Sequence, residues 1–180
     1  MKTFLISDTH FMHSNIIKYC NRPFKNVEEM NQEIIKRWNS VVSKNDIVYH
    51  LGDFAFGNKS FIESIVSQLN GKIYLILGNH DGTNIKKYME CGFDKVYDKP
   101  ILYRDFFILS HQPIEWLDKN GVFANIYGHV HNDPTYQWVT SRSMNVSADV
   151  LNFTPIEFEK AIKMMQAMEE LELNEFETIS

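Results

Sequence analysis

Five separate apolar runs in this sequence stop at residues that bind metal ions. TFLIS (3–7) is followed by DTH, which supplies Asp8 and His10. IVYHL leads into Gly52 and Asp53, and IYLIL leads into GNHD, which supplies Asn79, His80 and Asp81. FFILS ends at His111, and ANIY ends at GHVH, which supplies His129 and His131. Strand-end turns alone would use Asp, Asn and Gly. They have no special need of His, yet five of the seven histidines lie in these motifs.

The donor set is chemically specific. It combines carboxylates, an amide oxygen and imidazoles, and contains no thiol. Mixed nitrogen and oxygen ligands suit Mn²⁺, Fe, Zn²⁺ or Ni²⁺ better than the all-oxygen preference of Mg²⁺ and Ca²⁺. Asp8/His10 and His129/His131 are each spaced by two, which turns both members to one side of an extended backbone. The donors are too many for one tetrahedral ion but fit two ions that share a carboxylate. Two ions about 3.5–4 Å apart can clamp the attacking and leaving oxygens of a phosphoryl transfer.

The elements that must position these residues alternate along the chain. Strands are expected at 3–7, 46–51, 72–77, 101–110, 124–128 and 143–148, several of them nearly continuous apolar runs suited to burial on both faces. Between the early strands lie helical segments. Asn26 with Glu29, and Ser60 with Glu63, read as capping boxes. NIKKYMEC stops at Gly92. A last helix is expected with Thr154 as cap, Pro155 at its first position, and an end near Leu171. In an α/β fold, loops at the carboxyl ends of strands gather around one crevice, so five strands are expected to feed one site. The 180 residues, 44% hydrophobic and 13% aromatic, suit one domain spanning 1–180.

DTH, GD, GNHD, a lone His and GHVH, in that order over roughly residues 5–131, resemble the motifs of the calcineurin-like metallophosphoesterases. The resemblance implies a four-layer α/β/β/α sandwich, two mixed sheets flanked by helices. It implies that Asp8, His10 and His131 hold one divalent ion, that Asn79, His111 and His129 hold a second, and that Asp53 bridges them. Manganese is the first expectation, with Fe, Zn²⁺ or Ni²⁺ as others. It further implies hydrolysis of phosphomonoesters or phosphodiesters by a metal-bound hydroxide. His80 would be the general acid or transition-state donor, with Asp81 orienting its ring. The alternative is a non-catalytic metal-binding scaffold of the same fold, against which the intact ligand set and His80 argue.

Other residues have an ordinary reading beside the functional one. His13 could reach the substrate phosphate, or simply start a helix near Ser14. His50 reads as a satisfied core imidazole. Arg22 and Arg142 follow the first and last motifs and could bind a substrate anion, as could Arg104. Trp116, Tyr136 and Trp138 could stack on a leaving group, or pack. Asp149 and everything after His131 match no family ligand and read as structural. Cys20 and Cys91 read as unpaired thiols of a reducing compartment. A net charge of −5 argues against long nucleic acid and anionic membranes, and leaves a small phosphate ester, a nucleotide among them, as the expected partner. The start MKTFLISDTH is too short for a signal peptide or membrane span, so a cytoplasmic location is expected. Little room remains for a cap domain, so an open site is expected. Oligomeric state is not legible.

Overall fold

The computed structural model describes residues 1–114 and 123–179, so Trp116 lies outside the described residues. The elements run β1 (Thr3–Ile6), α1 (Ser14–Tyr19), α2 (Val27–Val41), β2 (Ile47–His50), α3 (Lys59–Val66), β3 (Lys72–Ile76) and α4 (Ile85–Glu90). They continue as β4 (Lys95–Tyr97), β5 (Ile101–Tyr103), β6 (Phe107–Leu109), β7 (Ala124–Tyr127), β8 (Ser143–Asn145), β9 (Ile156–Glu157) and α5 (Phe158–Ile179). One sheet has the order β4-β3-β2-β1-β9 and the other β5-β6-β7-β8. In the first, β1 to β4 are parallel and β9 is antiparallel to β1. In the second, β5 is antiparallel to β6, while β6, β7 and β8 are parallel. These are the two mixed sheets with flanking helices expected of the α/β sandwich.

The period of two in the strands divides the core. Phe4, Ile6, Val48, Ile73 and Leu75 point to the helical side, where they meet Met30, Ile34 and Trp38 of α2. Leu5, Tyr49, Leu51 and Ile76 point the other way, against Leu109, Ile126 and Met144 of the second sheet. Met30, Ile34 and Trp38 recur at four-residue spacing, so α2 presents one apolar stripe. All three are fully buried. Truncating Ile34 to Ala would cost about 2–5 kcal/mol. Phe158, Ala161 and Met165 of α5 enter the inter-sheet core.

Three local expectations need correction. Asn26 caps α2 by accepting from the Glu29 amide at 2.8 Å, but Glu29 Oε2 closes on the Lys25 amide at 2.9 Å rather than on that of Asn26. The cap of α3 is Asn58, whose side chain accepts from the Phe61 amide at 2.9 Å, so the expected cap Ser60 lies inside the helix. Asn outranks most residues as an N-cap, and here it stands two positions earlier. Thr154 and Pro155 do not start α5. Ile156 and Glu157 first pair with Leu5 and Phe4, so the helix begins at Phe158, and it runs to Ile179. Sheet pairing outweighed the local helix-start signal there. Cys20 and Cys91 are free and buried. Among the described residues no helix is long and apolar enough to cross a membrane.

Candidate metal centre

Parallel pairing places the carboxyl ends of β1, β2 and β3 on one rim, and those of β6, β7 and β8 on another. Backbone bonds join the two rims. Ser7 pairs with Ser147 across the sheets, its amide donating to the Val146 carbonyl at 2.9 Å while its own carbonyl accepts from Ala148 at 2.9 Å. The Asp8 amide donates to Gly52 and the His10 amide to Asp53, at 2.9 and 3.0 Å. Gly128 donates to the His111 carbonyl at 2.9 Å. The approach is so close that a Cβ on Gly52 would lie 2.6 Å from His111 Nδ1, and one on Gly78 would collide with the Asp53 carboxylate. Asp8, His10, Asp53, His129 and His131 all have φ between 49° and 72°, the left-handed region that residues with a Cβ rarely occupy.

The first donor group is Asp8, His10 and His131, whose ligand atoms lie within 4.8 Å of one another. Asp8 is fully buried. Its Oδ2 accepts from Ser7 Oγ at 2.5 Å, the His129 amide at 2.8 Å and Ser147 Oγ at 2.9 Å. Its Oδ1 has no partner, and neither does His10 Nε2. These two orphaned atoms lie 4.0 Å apart, and His131 Nε2 lies 3.8 Å from Asp8 Oδ1. A buried polar atom left unpaired costs about 1–3 kcal/mol. Both atoms are electron-pair donors facing one point, which a cation satisfies.

The second group is Asn79, His111 and His129. Asn79 Oδ1 is 2.8 Å from His111 Nε2 and 3.0 Å from His129 Nδ1. The two imidazole nitrogens are 3.2 Å apart. Between the groups stands Asp53, with Oδ2 3.5 Å from both His10 Nε2 and His111 Nε2. The residues therefore fit a pair of divalent ions, and the seven expected ligands converge.

The electrostatics agree with that fit. Burial, with the nearby His131 and Arg22, pushes the His10 imidazole far below its usual range, so its lone pair is free. Burial also pushes the Asp53 carboxyl up, and the Asp8 carboxylate adds to this against the opposing pull of His111. Carboxylates gathered out of water need positive charge beside them. For His131, burial is the largest single influence and works downward, but the hydrogen bond to Asp149, the contact with Cys20 and the Asp8 and Asp149 charges together outweigh it and lift the imidazole to about 10. Burial works upward on Asp149, and the His131 and Arg22 contacts more than offset it.

Several expected roles change. His80 stands at the mouth, its side chain 47% exposed and Nε2 4.0 Å from Asp53 Oδ2. Asp81 does not hold that ring. Its buried carboxylate accepts from the backbone amides of Asp53, Phe54 and Gly78 at 2.7, 3.0 and 2.8 Å, tying the GD loop to the GNHD loop. Arg22 does not face a substrate. It is buried, donates to both oxygens of Asp149 at 2.8 and 2.9 Å, and also donates to the Asp8 and Thr9 carbonyls. Arg142 is exposed at the start of β8, where its carbonyl accepts from Asn125 near the start of β7. The ligands follow the other end of β7, so Arg142 is remote from the centre. Trp138 lines a different cavity beside β9 and α5. His50 is a core imidazole as expected but only half satisfied: its Nε2 is 3.0 Å from Thr9 Oγ1, which donates to the Phe54 carbonyl at 2.8 Å, while its buried Nδ1 has no hydrogen-bond partner.

Asp149 was missed. It accepts from His131 Nδ1 at 2.7 Å while pairing with Arg22. No spacing rule links residues 22, 131 and 149. A carboxylate shortly after a strand and near the last motif was the one available signal.

A cleft of about 700 Å³ opens beside the second group, lined by Asn79, His111, His129, Lys99, Gln112 and Tyr136 among others. The calcineurin-like phosphoesterase family model matches residues 1–152. The chain is 40% identical over 173 residues to the uncharacterized protein MJ1445 of Methanocaldococcus jannaschii, with 92% of each covered. It is 40% identical over 83 residues to the gene 66 protein of Mycobacterium phage L5, covering 44% of this chain and 40% of that one. A solved structure, the protein of unknown function AQ665 from Aquifex aeolicus, superposes with a TM-score of 0.67 at 28% identity, over 90% of this chain and 98% of that one. The donor geometry and the span of the family match lead to one conclusion: the chain belongs to the calcineurin-like phosphoesterases.

Proposed function

We propose that this protein hydrolyses small phosphomonoesters or phosphodiesters with two divalent ions, manganese first among them. Asp8, His10 and His131 would hold one ion and Asn79, His111 and His129 the other, with Asp53 shared. The carrying observation is the pair of buried atoms without hydrogen-bond partners, Asp8 Oδ1 and His10 Nε2, 4.0 Å apart, the second of them 3.5 Å from Asp53 Oδ2. When bound, the ions supply Lewis-acid stabilisation of the phosphoryl oxygens and a nucleophile at neutral pH.

The chain's own residues do the rest. His80 sits between the ligands and solvent, with its backbone amide fixed on Asp53 Oδ1 at 2.9 Å, so its ring is placed to donate a proton or hydrogen bond to the leaving oxygen. The cleft receives the alcohol portion of the ester. Its 700 Å³ lies within the roughly 300–1,000 Å³ of small-molecule sites and exceeds the needs of a bare phosphate. Tyr136 offers an aromatic face there and Lys99 a cation.

The test is turnover of p-nitrophenyl phosphate and its bis-ester by the manganese-loaded protein. Activity that chelation abolishes and manganese restores is expected. No turnover across a broad ester panel, with both ions confirmed bound, rejects the proposal.

A further inference from the structure

A metal-binding histidine generally gives its other ring N–H to a fixed acceptor, which sets the tautomer and aims the ring. Two of the candidate ligands follow this rule with ordinary partners. His111 Nδ1 meets the Leu51 carbonyl at 2.8 Å, and His131 Nδ1 meets Asp149 at 2.7 Å. His10 differs: its Nδ1 lies 3.3 Å from Nδ1 of another imidazole, His13.

Only one arrangement of protons serves an ion at His10 Nε2. That nitrogen must be bare, so Nδ1 carries the hydrogen and His13 Nδ1 accepts it. His13 is then protonated on Nε2 alone. We infer that His13 is a positioning residue for the first ion, fixing the tautomer and ring angle of His10. This inference rests on the metal reading above.

The surroundings hold His13 in that role. It is the N-cap residue of α1, yet its side chain makes no capping bond, so the ring is free for His10. Left-handed turns at His10 and Met12, φ 49° and 65°, fold the chain back so that residue 13 returns to residue 10. The Met12 amide is pinned to Asn31 Oδ1 of α2 at 3.1 Å, and the His13 amide to the His10 carbonyl at 3.1 Å. Phe56 stacks on the His13 ring at 4.0 Å and 25°, and lies 5.7 Å from the His10 ring at 23°. One aromatic face thus steadies both imidazoles. The His13 ring centroid is 5.3 Å from that of His10 and 6.5 Å from that of His80, so His13 is nearer to the candidate ligand than to the proposed proton donor.

The experiment titrates Mn²⁺ into metal-stripped protein, with no substrate present, for the wild type, His13→Ala and His13→Asn. Asparagine can return an acceptor oxygen near the position of Nδ1. The first ion should bind about 10–100-fold more weakly in His13→Ala. His13→Asn should recover much of the loss, and the second ion should be unaffected. Equal affinity for both ions in His13→Ala overturns the inference. In a separate kinetic assay of the manganese-loaded variants, a raised KM for His13→Ala alongside unchanged ion affinity in the titration also overturns it, in favour of a substrate contact. Long-range nitrogen–proton NMR of the wild type needs no variant to fold: His10 protonated on Nδ1 supports the inference, and on Nε2 ends it. A wild type that takes up no ion rejects the metal reading as well, whereas wild-type binding with an indifferent His13→Ala rejects this inference alone.

Discussion

The two halves of the centre are built differently. In the first, Asp8 and His10 are 0% and 1% exposed. Every donor there has its remaining atoms committed: Asp8 Oδ2 to three hydrogen bonds, His131 to Asp149, His10 to His13. In the second, His111 is buried with Nδ1 fixed on the Leu51 carbonyl, but Asn79 is exposed, His129 is half-buried, and the cleft opens directly beside them. Under the proposed function, the first half would be a socket shaped before an ion arrives, and the second the side from which an ester reaches the chemistry. Fixed outer partners raise metal affinity. The buried half should therefore hold its ion more tightly, and the exposed half should exchange with solvent and substrate.

The largest test of that contrast removes what the halves share. Asp53→Ala should strip both sites and lower kcat/KM on the order of 10³-fold or more, read by metal analysis alongside kinetics. Retention of either ion at wild-type affinity would show that Asp53 serves one half only. His80→Ala should lower kcat by about 10²–10⁴-fold while metal content stays constant, since the half-exposed ring is proposed to act on the leaving oxygen and not to hold either ion. Loss of metal with that substitution would move His80 into the ligand set.

Asp149→Ala separates the halves. It leaves the Arg22 guanidinium buried without its carboxylate, at a cost of about 3–5 kcal/mol in a denaturant melt of metal-free protein. It should also weaken the first ion and spare the second. Proton release distinguishes them again. With its imidazole raised to about 10, metal-free His131 is protonated at pH 7, and an ion must expel that proton. First-ion affinity should rise as pH climbs toward that value. The His129 imidazole is lowered by burial and by His111, so the second ion displaces no proton from it. Calorimetry in buffers of different ionisation enthalpy reads the difference, and equal release from both sites would contradict it. The smallest effect should come from Asn58→Ala, which removes a helix cap far from both halves. It should lower stability by about 1 kcal/mol and leave metal affinity unchanged.

The residues that converge were legible because each sits just after a strand, in a motif of one to four residues. It carried the sheets because Val48, Ile73, Leu75 and their neighbours form apolar runs bounded by turns. What it could not carry is pairing at long range. Asp149 and Arg22 are 127 residues apart and meet only once the sheets have stacked. Asp81 looked like a partner for the adjacent His80, but three amides from two loops claimed its oxygens. The start of α5 failed for a related reason. Thr154 and Pro155 are sound local helix signals, overridden because Ile156 found an open edge of β1. His13 was readable as a helix-start residue, which it is, but the approach of its ring to His10 had no signal in the spacing.

Five of the seven candidate ligands have left-handed backbones. Each such residue costs of the order of 1–3 kcal/mol. The scaffold bears that cost as it folds, through the laced loops and the glycines that let them touch. Its consequence is a coordination cage wound like a spring before anything enters it. Under the proposed function, an arriving ion would meet loops already tied to one another by backbone hydrogen bonds, a geometry that it would have to match.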